Sequence, residues 1–208
     1  MAGNVQLRSF VFIDSMQPQF ASFEASTAQG YLPVKGQSAL YVEVAPGMEI
    51  QRLLDVACKA TAVTPGSLVV ERAFGLMELH HDDQGEVRQA GQAVLEALGV
   101  KENQRVKPRV TTSTIIRKAT DYHTMLINRS RKGMMLLGGQ TLYILEVEPA
   151  AYVTLAANEA EKASRVNLLE LRGVGAFGRL FLGGEEADVV VAAEAAEAAI
   201  KAVTGAEK

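Results

Sequence analysis

Two rhythms of apolar and polar positions alternate along this 208-residue chain, and their whole succession occurs twice. Short β-branched and aromatic runs at Leu40–Val44 and Leu142–Val147 read as strands. Each is followed by a proline, Pro46 or Pro149, suited to the first turn of a helix. The segments beyond, 48–62 and 150–165, place Ile50, Leu53, Leu54 and Ala57, or Val153, Ala156, Ala157 and Ala160, at helical spacing. Strands are predicted next at 67–70 and 74–79, and at 167–171 and 178–182, each pair around a glycine-bearing connection. Polar turns at 80–85 and 183–186 lead to Ala-rich helices at 86–98 and 187–203. Each half opens with a strand, 7–13 or 110–117, and then a polar stretch ending in a glycine-flanked turn.

Superposing the halves at an offset of 103 residues (139 − 36) needs no gap from Gly30 to Leu79. It yields 15 identities in 50 positions, among them Glu43/Glu146, Pro46/Pro149, Lys59/Lys162 and Gly75/Gly178, where composition alone gives roughly 3 or 4. The identities cover strand-like and turn-like segments in the same order, so the chain is a duplication. The boundary is drawn in the polar stretch 101–109 (KENQRVKPR), giving modules 1–104 and 105–208. Each module reads as mixed α+β, with about two helices on one small sheet, mainly antiparallel because the connections are short.

Composition narrows the partners. A net charge of −3 provides no basic field for nucleic acid. No apolar run approaches the roughly 20 residues that span a bilayer. The opening MAGNVQLRSFVFID lacks the pattern of a secretory signal. The single cysteine, Cys58, suits a reducing compartment and reads as a small packing residue on a helix.

Candidate chemistry is sparse. Gly173-Val174-Gly175-Ala176-Phe177-Gly178 matches G-x-G-x-x-G, but a strand follows it, whereas dinucleotide binding needs a helix there. A tight backbone turn is the better use of those glycines. His80-His81-Asp82-Asp83 resembles a ligand set, yet adjacent strand residues point to opposite faces, so a solvated turn is expected. The basic run 129–132 (RSRK) is expected to be a solvated loop or a subunit contact. No catalytic constellation, metal site or cofactor motif emerges. Glu71-Arg72 interrupts an apolar passage at a strand–strand connection, where the second module has Val174 and Gly175. In isolation this is a surface ion pair, typically worth about 0–1 kcal/mol.

Both modules share an apolar strand, an Ala-rich helix with Lys-Ala near its end, a glycine-bearing loop, a strand and a second Ala-rich helix. This pattern, seen in VEVAPGMEIQRLLDVACKATAVTPGSLVVERAFGLMELH and again in ILEVEPAAYVTLAANEAEKASRVNLLELRGVGAFGRLFLGGEEADVVVAAEAAEAAI, resembles the bacterial microcompartment shell-protein domain. The extra strand-containing segment in front of each copy is similar to the circularly permuted variant. The stretch VERAFGLMELH resembles the gated-pore subclass found in carboxysome shells. The resemblance implies a structural, non-enzymatic shell protein in the cytoplasm: a homotrimer with a pseudo-hexameric outline, also as stacked pairs, tiling with other shell proteins. Glu71 and Arg72 would alternate with Gly173, Val174 and Gly175 around a central pore that gates metabolite passage, Glu71 of one chain pairing with Arg72 of the next. Lys59 and Lys162 match the family's edge lysine at lateral shell contacts. The other reading is a soluble trimeric regulator that binds a small molecule in an inter-domain or inter-trimer pocket.

Overall fold

A computed structural model describes residues 5–207; Met1–Asn4 of the opening stretch and Lys208 lie outside the described residues. The first module runs β1 (Gln6–Ile13), α1 (Pro18–Thr27), β2 (Ser38–Ala45), α2 (Glu49–Ala60), β3 (Thr64–Glu71), β4 (Phe74–His81) and α3 (Gln84–Leu98). The second repeats the order with β5 (Arg109–Ile116), α4 (Asp121–Ser130), β6 (Thr141–Glu148), α5 (Tyr152–Ala163), β7 (Asn167–Arg172), β8 (Gly178–Gly184) and α6 (Glu186–Ala202). Two four-stranded sheets result, β1-β2-β4-β3 and β5-β6-β8-β7, with every pairing antiparallel.

The α+β expectation holds, with several differences in detail. Each module has three helices, because the polar stretches after β1 and β5 form α1 and α4. Their apolar spacing is obscured by Gln, Ser, Thr and Asn, which leaves little helical periodicity to read. His80, His81, Gly183 and Gly184 belong to β4 and β8, which run two residues into the expected turns. Pro46 and Pro149 precede their helices by three residues, and the Pro46 carbonyl accepts the Glu49 N–H in a turn. Cys58 is exposed rather than packed, since it lies off the α2 stripe of Ile50, Leu53 and Ala57.

Strand alternation assigns the two faces of the first sheet. Phe10, Leu40, Val42, Met77 and Leu79 pack beneath Ile50, Leu53, Val87, Ala90 and Val94 of α2 and α3. Val11, Ile13, Tyr41 and Leu76 face the other way, into a cluster that includes Phe20 and Phe23 of α1 and Tyr152, Val153, Ala156 and Ala157 of α5. The second module thus covers the face the first cannot cover itself, and β2 is buried almost throughout. The corresponding face of the second sheet has no such cover: Ile144, Glu146, Glu148 and Phe181 are only half-buried, and Thr112 and Thr114 are exposed.

The polar connection is pinned rather than loose. Arg105 donates to the carbonyls of Phe10 (2.6 Å) and Thr204 (3.0 Å), and the Tyr152 hydroxyl donates to the Val106 carbonyl (2.8 Å). Backbone bonds link Lys107 and Arg105 to Ala206, so the end of the chain runs beside the connection.

Gly75 and Gly178 show what the duplication preserves. A Cβ at Gly75 would overlap the Gly47 carbonyl oxygen, and one at Gly178 would overlap that of Ala150. Each glycine lets a central strand pass directly beneath the turn that launches α2 or α5. Replacing either by alanine should therefore lower stability by about 1–3 kcal/mol, read as a lower urea midpoint, because the overlapped atom is backbone that must move. An unchanged midpoint would show that the turn can yield freely.

Candidate functional site

The β3–β4 and β7–β8 connections meet at one end of the molecule. The first is tight: Glu71 pairs with Phe74, leaving only Arg72 and Ala73 to turn the chain. Arg72 takes a left-handed backbone (φ 54°), which typically costs a non-glycine residue about 1–2 kcal/mol. Gly175, its counterpart at the 103-residue offset, is also left-handed (φ 101°), but as glycine it pays little of that strain. The second loop unzips further, its strands closing only at Arg172–Arg179. No helix opens after its glycines, so the G-x-G-x-x-G run is a turn between strands.

The loops are joined within one chain. Arg172 Nη2 lies 3.2 Å from Glu71 Oε2 and 3.3 Å from Oε1. A Cβ at Gly175 would stand 3.3 Å from the same carboxylate oxygens, so the absent side chain leaves room for Glu71. Val174 and Gly173 complete the contact beside Phe74 and Leu76. Glu71 thus has an in-chain partner, where the sequence suggested Arg72 of an adjacent chain. Arg172 carries no motif, and only its position one residue before Gly173 could have flagged it. Among the described residues Arg72 makes no ion pair and is exposed. With both partners partly exposed, the Glu71–Arg172 pair is worth about 0–1 kcal/mol and is screened by salt.

The two lysines occupy different surroundings. Lys59 is exposed and pairs with Asp55 one turn earlier at 2.6 Å. Lys162 is half-buried between Asp14 (2.8 Å) and Glu159 (2.9 Å), and so ties the second module to the first. Burial opposes its charge, but the two carboxylates outweigh that and hold its pKa above the usual lysine value.

Behind the loops, a cavity of about 390 Å³ opens between the modules. It was not legible in the sequence, because Glu24, Glu78 and Glu170 stand alone in unrelated segments. The Tyr41 hydroxyl donates to Glu24 Oε2 (3.0 Å), and His80 Nδ1 lies 3.0 Å from Glu78 Oε1. Burial, reinforced by the neighbouring Glu78 carboxylate, pushes Glu24 from the usual 4.5 up to about 8, against the Tyr41 hydrogen bond. Burial also raises Glu78 against its His80 partner, and Glu170 against the nearby Lys132. Lys132, exposed as the sequence suggests for the basic run 129–132, also lines this cavity. Arg172 lines it too, so one residue borders both cavity and loop.

Comparison with known proteins matches residues 7–104 to the CsoS1D N-terminal domain. The chain is 51% identical over 203 residues to the carboxysome shell protein CcmP of Synechococcus elongatus, covering 98% of this chain and 95% of that protein. It is 51% identical over 201 residues to the carboxysome shell protein CsoS1D of Hydrogenovibrio crunogenus, covering 96% of this chain and 98% of that one. Among solved structures it superposes on a fused permuted hexameric shell protein of the RMM microcompartment with a TM-score of 0.94, at 45% identity, covering 97% of this chain and 99% of that one. It superposes on a double ringed trimeric shell protein of the same microcompartment with a TM-score of 0.93, at 38% identity, covering 98% of this chain and all of that one.

The cavity carboxyls predict a pH dependence. Because the folded state holds the Glu24 proton more tightly than the unfolded chain, it binds more protons between about 4.5 and about 8. Stability from this group is therefore fully present below about 4.5 and falls as pH rises towards about 8. Glu24→Gln, which stays neutral, should flatten that decline, measured as urea midpoints against pH. A parallel decline in the variant would place its origin elsewhere.

Proposed function

Because the chain belongs to the CsoS1D-type family of carboxysome shell proteins, structural proteins of a microcompartment shell, we propose that three copies close into a pseudo-hexamer whose pore is lined by the two loops. Each chain supplies two modules, 1–104 and 105–208, so three chains complete a six-module ring. Around its axis the Glu71-Arg72 loops alternate with the Gly173–Gly175 loops. The observation that carries this reading is the in-chain contact between them, with Arg172 and Gly175 both against Glu71.

The proposed gate has two arrangements. In one, Glu71 is held against Arg172 of its own chain, as here, and Arg72 is left without an ion pair at the axis. In the other, Glu71 leaves Arg172 and meets Arg72 of the adjacent chain, closing the opening. Each state offers the carboxylate one cation, and the weak exposed pairs keep the exchange within a few kcal/mol. Selectivity for metabolites follows from pore width and lining charge, with no bond chemistry and no cofactor. Lys59 and Lys162 are assigned to lateral contacts with other shell proteins, and pairs of trimers stack. Among the described residues no helix is long and apolar enough to cross a membrane. The cavity between the modules is the one observation favouring a small-molecule regulator instead. That reading requires saturable ligand binding by a protein that forms no lateral assemblies.

Light scattering should give a mass of three or six chains, with six-sided particles by electron microscopy. The double variant Glu71→Ala with Arg72→Ala should keep that mass while altering the passage of charged metabolites into reconstituted shells. Unchanged permeability would remove both residues from the gate.

A further inference from the structure

The two loops differ in tightness, and the difference begins well before the turns. In the second module, β7 and β8 separate after the pair Arg172–Arg179. In the first, the equivalent pair Val69–Leu76 is followed by Val70–Gly75 and Glu71–Phe74, so the hairpin stays closed up to Arg72. The turn itself does not favour this closure. Its left-handed residue is an arginine (φ 54°), whereas the looser loop has glycine at the same place. A contact outside the hairpin must hold it shut.

Phe74 is gripped on two sides. The Arg8 guanidinium carbon lies 3.7 Å from the centre of its ring. On the other side, a Cβ at Gly47 would stand only 2.6 Å from the Phe74 carbonyl carbon, so that turn sits directly against the hairpin backbone. Arg8 lies at the register shift between β1 and β2 and is only 4% exposed. Glu43 Oε1 fixes its Nε at 2.7 Å, while Glu43 Oε2 accepts the Ala151 N–H instead of a second guanidinium nitrogen. Among the described residues, Arg8 Nη2 is buried without a hydrogen-bond partner. A buried donor left open is unfavourable, so the ion pair alone does not account for an arginine here. The flat face of the guanidinium is used on the Phe74 ring, a cation–π contact strengthened by the exclusion of water.

The duplication provides the comparison. At the 103-residue offset Arg8 becomes Thr111, Phe74 becomes Phe177 and Gly47 becomes Ala150. Glu146, the counterpart of Glu43, takes its cation from Arg179 on β8 (3.0 Å) and not from the first strand of its sheet. Phe177 is exposed, and among the described residues no cation stacks on it. The fold can therefore serve this carboxylate without an arginine on the first strand. The arginine is present only in the module whose loop carries Glu71 and Arg72.

We propose that Arg8 is the positioning residue of the pore loop: stacked on Phe74, it keeps the β3–β4 hairpin closed, so that Glu71 and Arg72 stand on a fixed backbone and exchange partners by side-chain rotation. This rests on the gate described above and adds the part that aims it. Arg8 is buried and acts only through Phe74. A hairpin that opened two pairs earlier, as the second loop does, would carry Glu71 away from Arg172.

Phe74→Leu keeps an apolar side chain but removes the ring face, whereas Phe74→Tyr retains that face. In the assembled protein, amide hydrogen exchange over residues 69–76 should be about tenfold faster in Phe74→Leu and unchanged in Phe74→Tyr. Entry of an anionic dye relative to a cationic dye of matched size into reconstituted shells should shift in Phe74→Leu and return to its original ratio in Phe74→Tyr. Arg8→Lys, which keeps a cation for Glu43 but loses the planar face, should reproduce Phe74→Leu. Phe177→Leu should change neither measurement. Unaltered exchange over 69–76 in both Phe74→Leu and Arg8→Lys overturns the clamp. Faster exchange with an unshifted dye ratio, in shells where Glu71→Ala with Arg72→Ala does shift it, removes Arg8 from the gate. If that double variant also leaves the ratio unshifted, the gate itself falls, and the role of Arg8 in it falls too.

Discussion

The buried carboxylate of Glu43 holds the molecule's architecture together. It is almost fully enclosed, and burial pushes its pKa up against the Arg8 guanidinium bonded to it at 2.7 Å. Its second oxygen takes the Ala151 N–H, so one charge group spans both modules and sits at the positive end of the α5 dipole. Such a group is tolerable inside a protein only while both partners stay in place; stripping one from a buried pair typically costs about 3–5 kcal/mol. The second module is therefore more than a neighbour, because it completes the solvation of a charge that the first module buries. Arg8 extends the chain of contacts, its guanidinium stacking 3.7 Å from the Phe74 ring, and Phe74 pairs with Glu71 across the tight hairpin. The contact between modules and the conformation of the loop end are mechanically one unit.

A sheet with helices on one side must find a partner for its other side. The first sheet finds it within the chain, which explains why β2 is buried at nearly every position although half its residues face away from α2 and α3. The same strand in the second module, β6, alternates between buried and half-buried. The two equivalent strands differ in burial because the second module covers the outer face of the first sheet, while nothing within the chain covers that of the second in the same way. Tyr41 and Glu43 are enclosed; Ile144 and Glu146, in the same places, are half-buried.

Much of this was legible in the sequence, and the reasons for the remainder are physical. The duplication, the strands and the Ala-rich helices declare themselves through periodicity, because burial on one face leaves a regular apolar stripe. Helices α1 and α4 did not, since α1 buries its stripe against another module, and α4 presents Tyr122, Met125 and Leu126 outward, so neither pattern answers to a core within its own module. Cys58 departs from the packing role its sequence context suggests for a related reason: its place on α2 faces outward, beyond the module's own core. The loop residues Glu71, Arg72 and Gly175 stood out as a local departure from the repeat, whereas Arg172 and Glu24 did not. Arg172 gains its significance from Glu71, 101 residues away in the other module, and Glu24 from Glu78, more than 50 residues away in its own, and single-sequence reasoning carries no trace of either proximity.

Fusing two modules into one chain permits what six identical subunits would forbid. A ring of identical domains must place the same residue at every loop, so a glutamate there would face five others, and no neighbour could be a dedicated partner. Duplication frees one loop to carry Glu71 and Arg72 on a strained left-handed turn, while the other drops to Val174 and Gly175 and makes space for them. Arg172, lying before that glycine turn, then holds Glu71 from within the same chain. Arg172 also lines the cavity, where the nearby Glu170 carboxyl feels its charge, so the cation that restrains Glu71 faces a second carboxyl as well. The strain at Arg72, the space at Gly175 and the acidic cavity behind Arg172 thus act on one weak ion pair, and its weakness lets small changes decide its position.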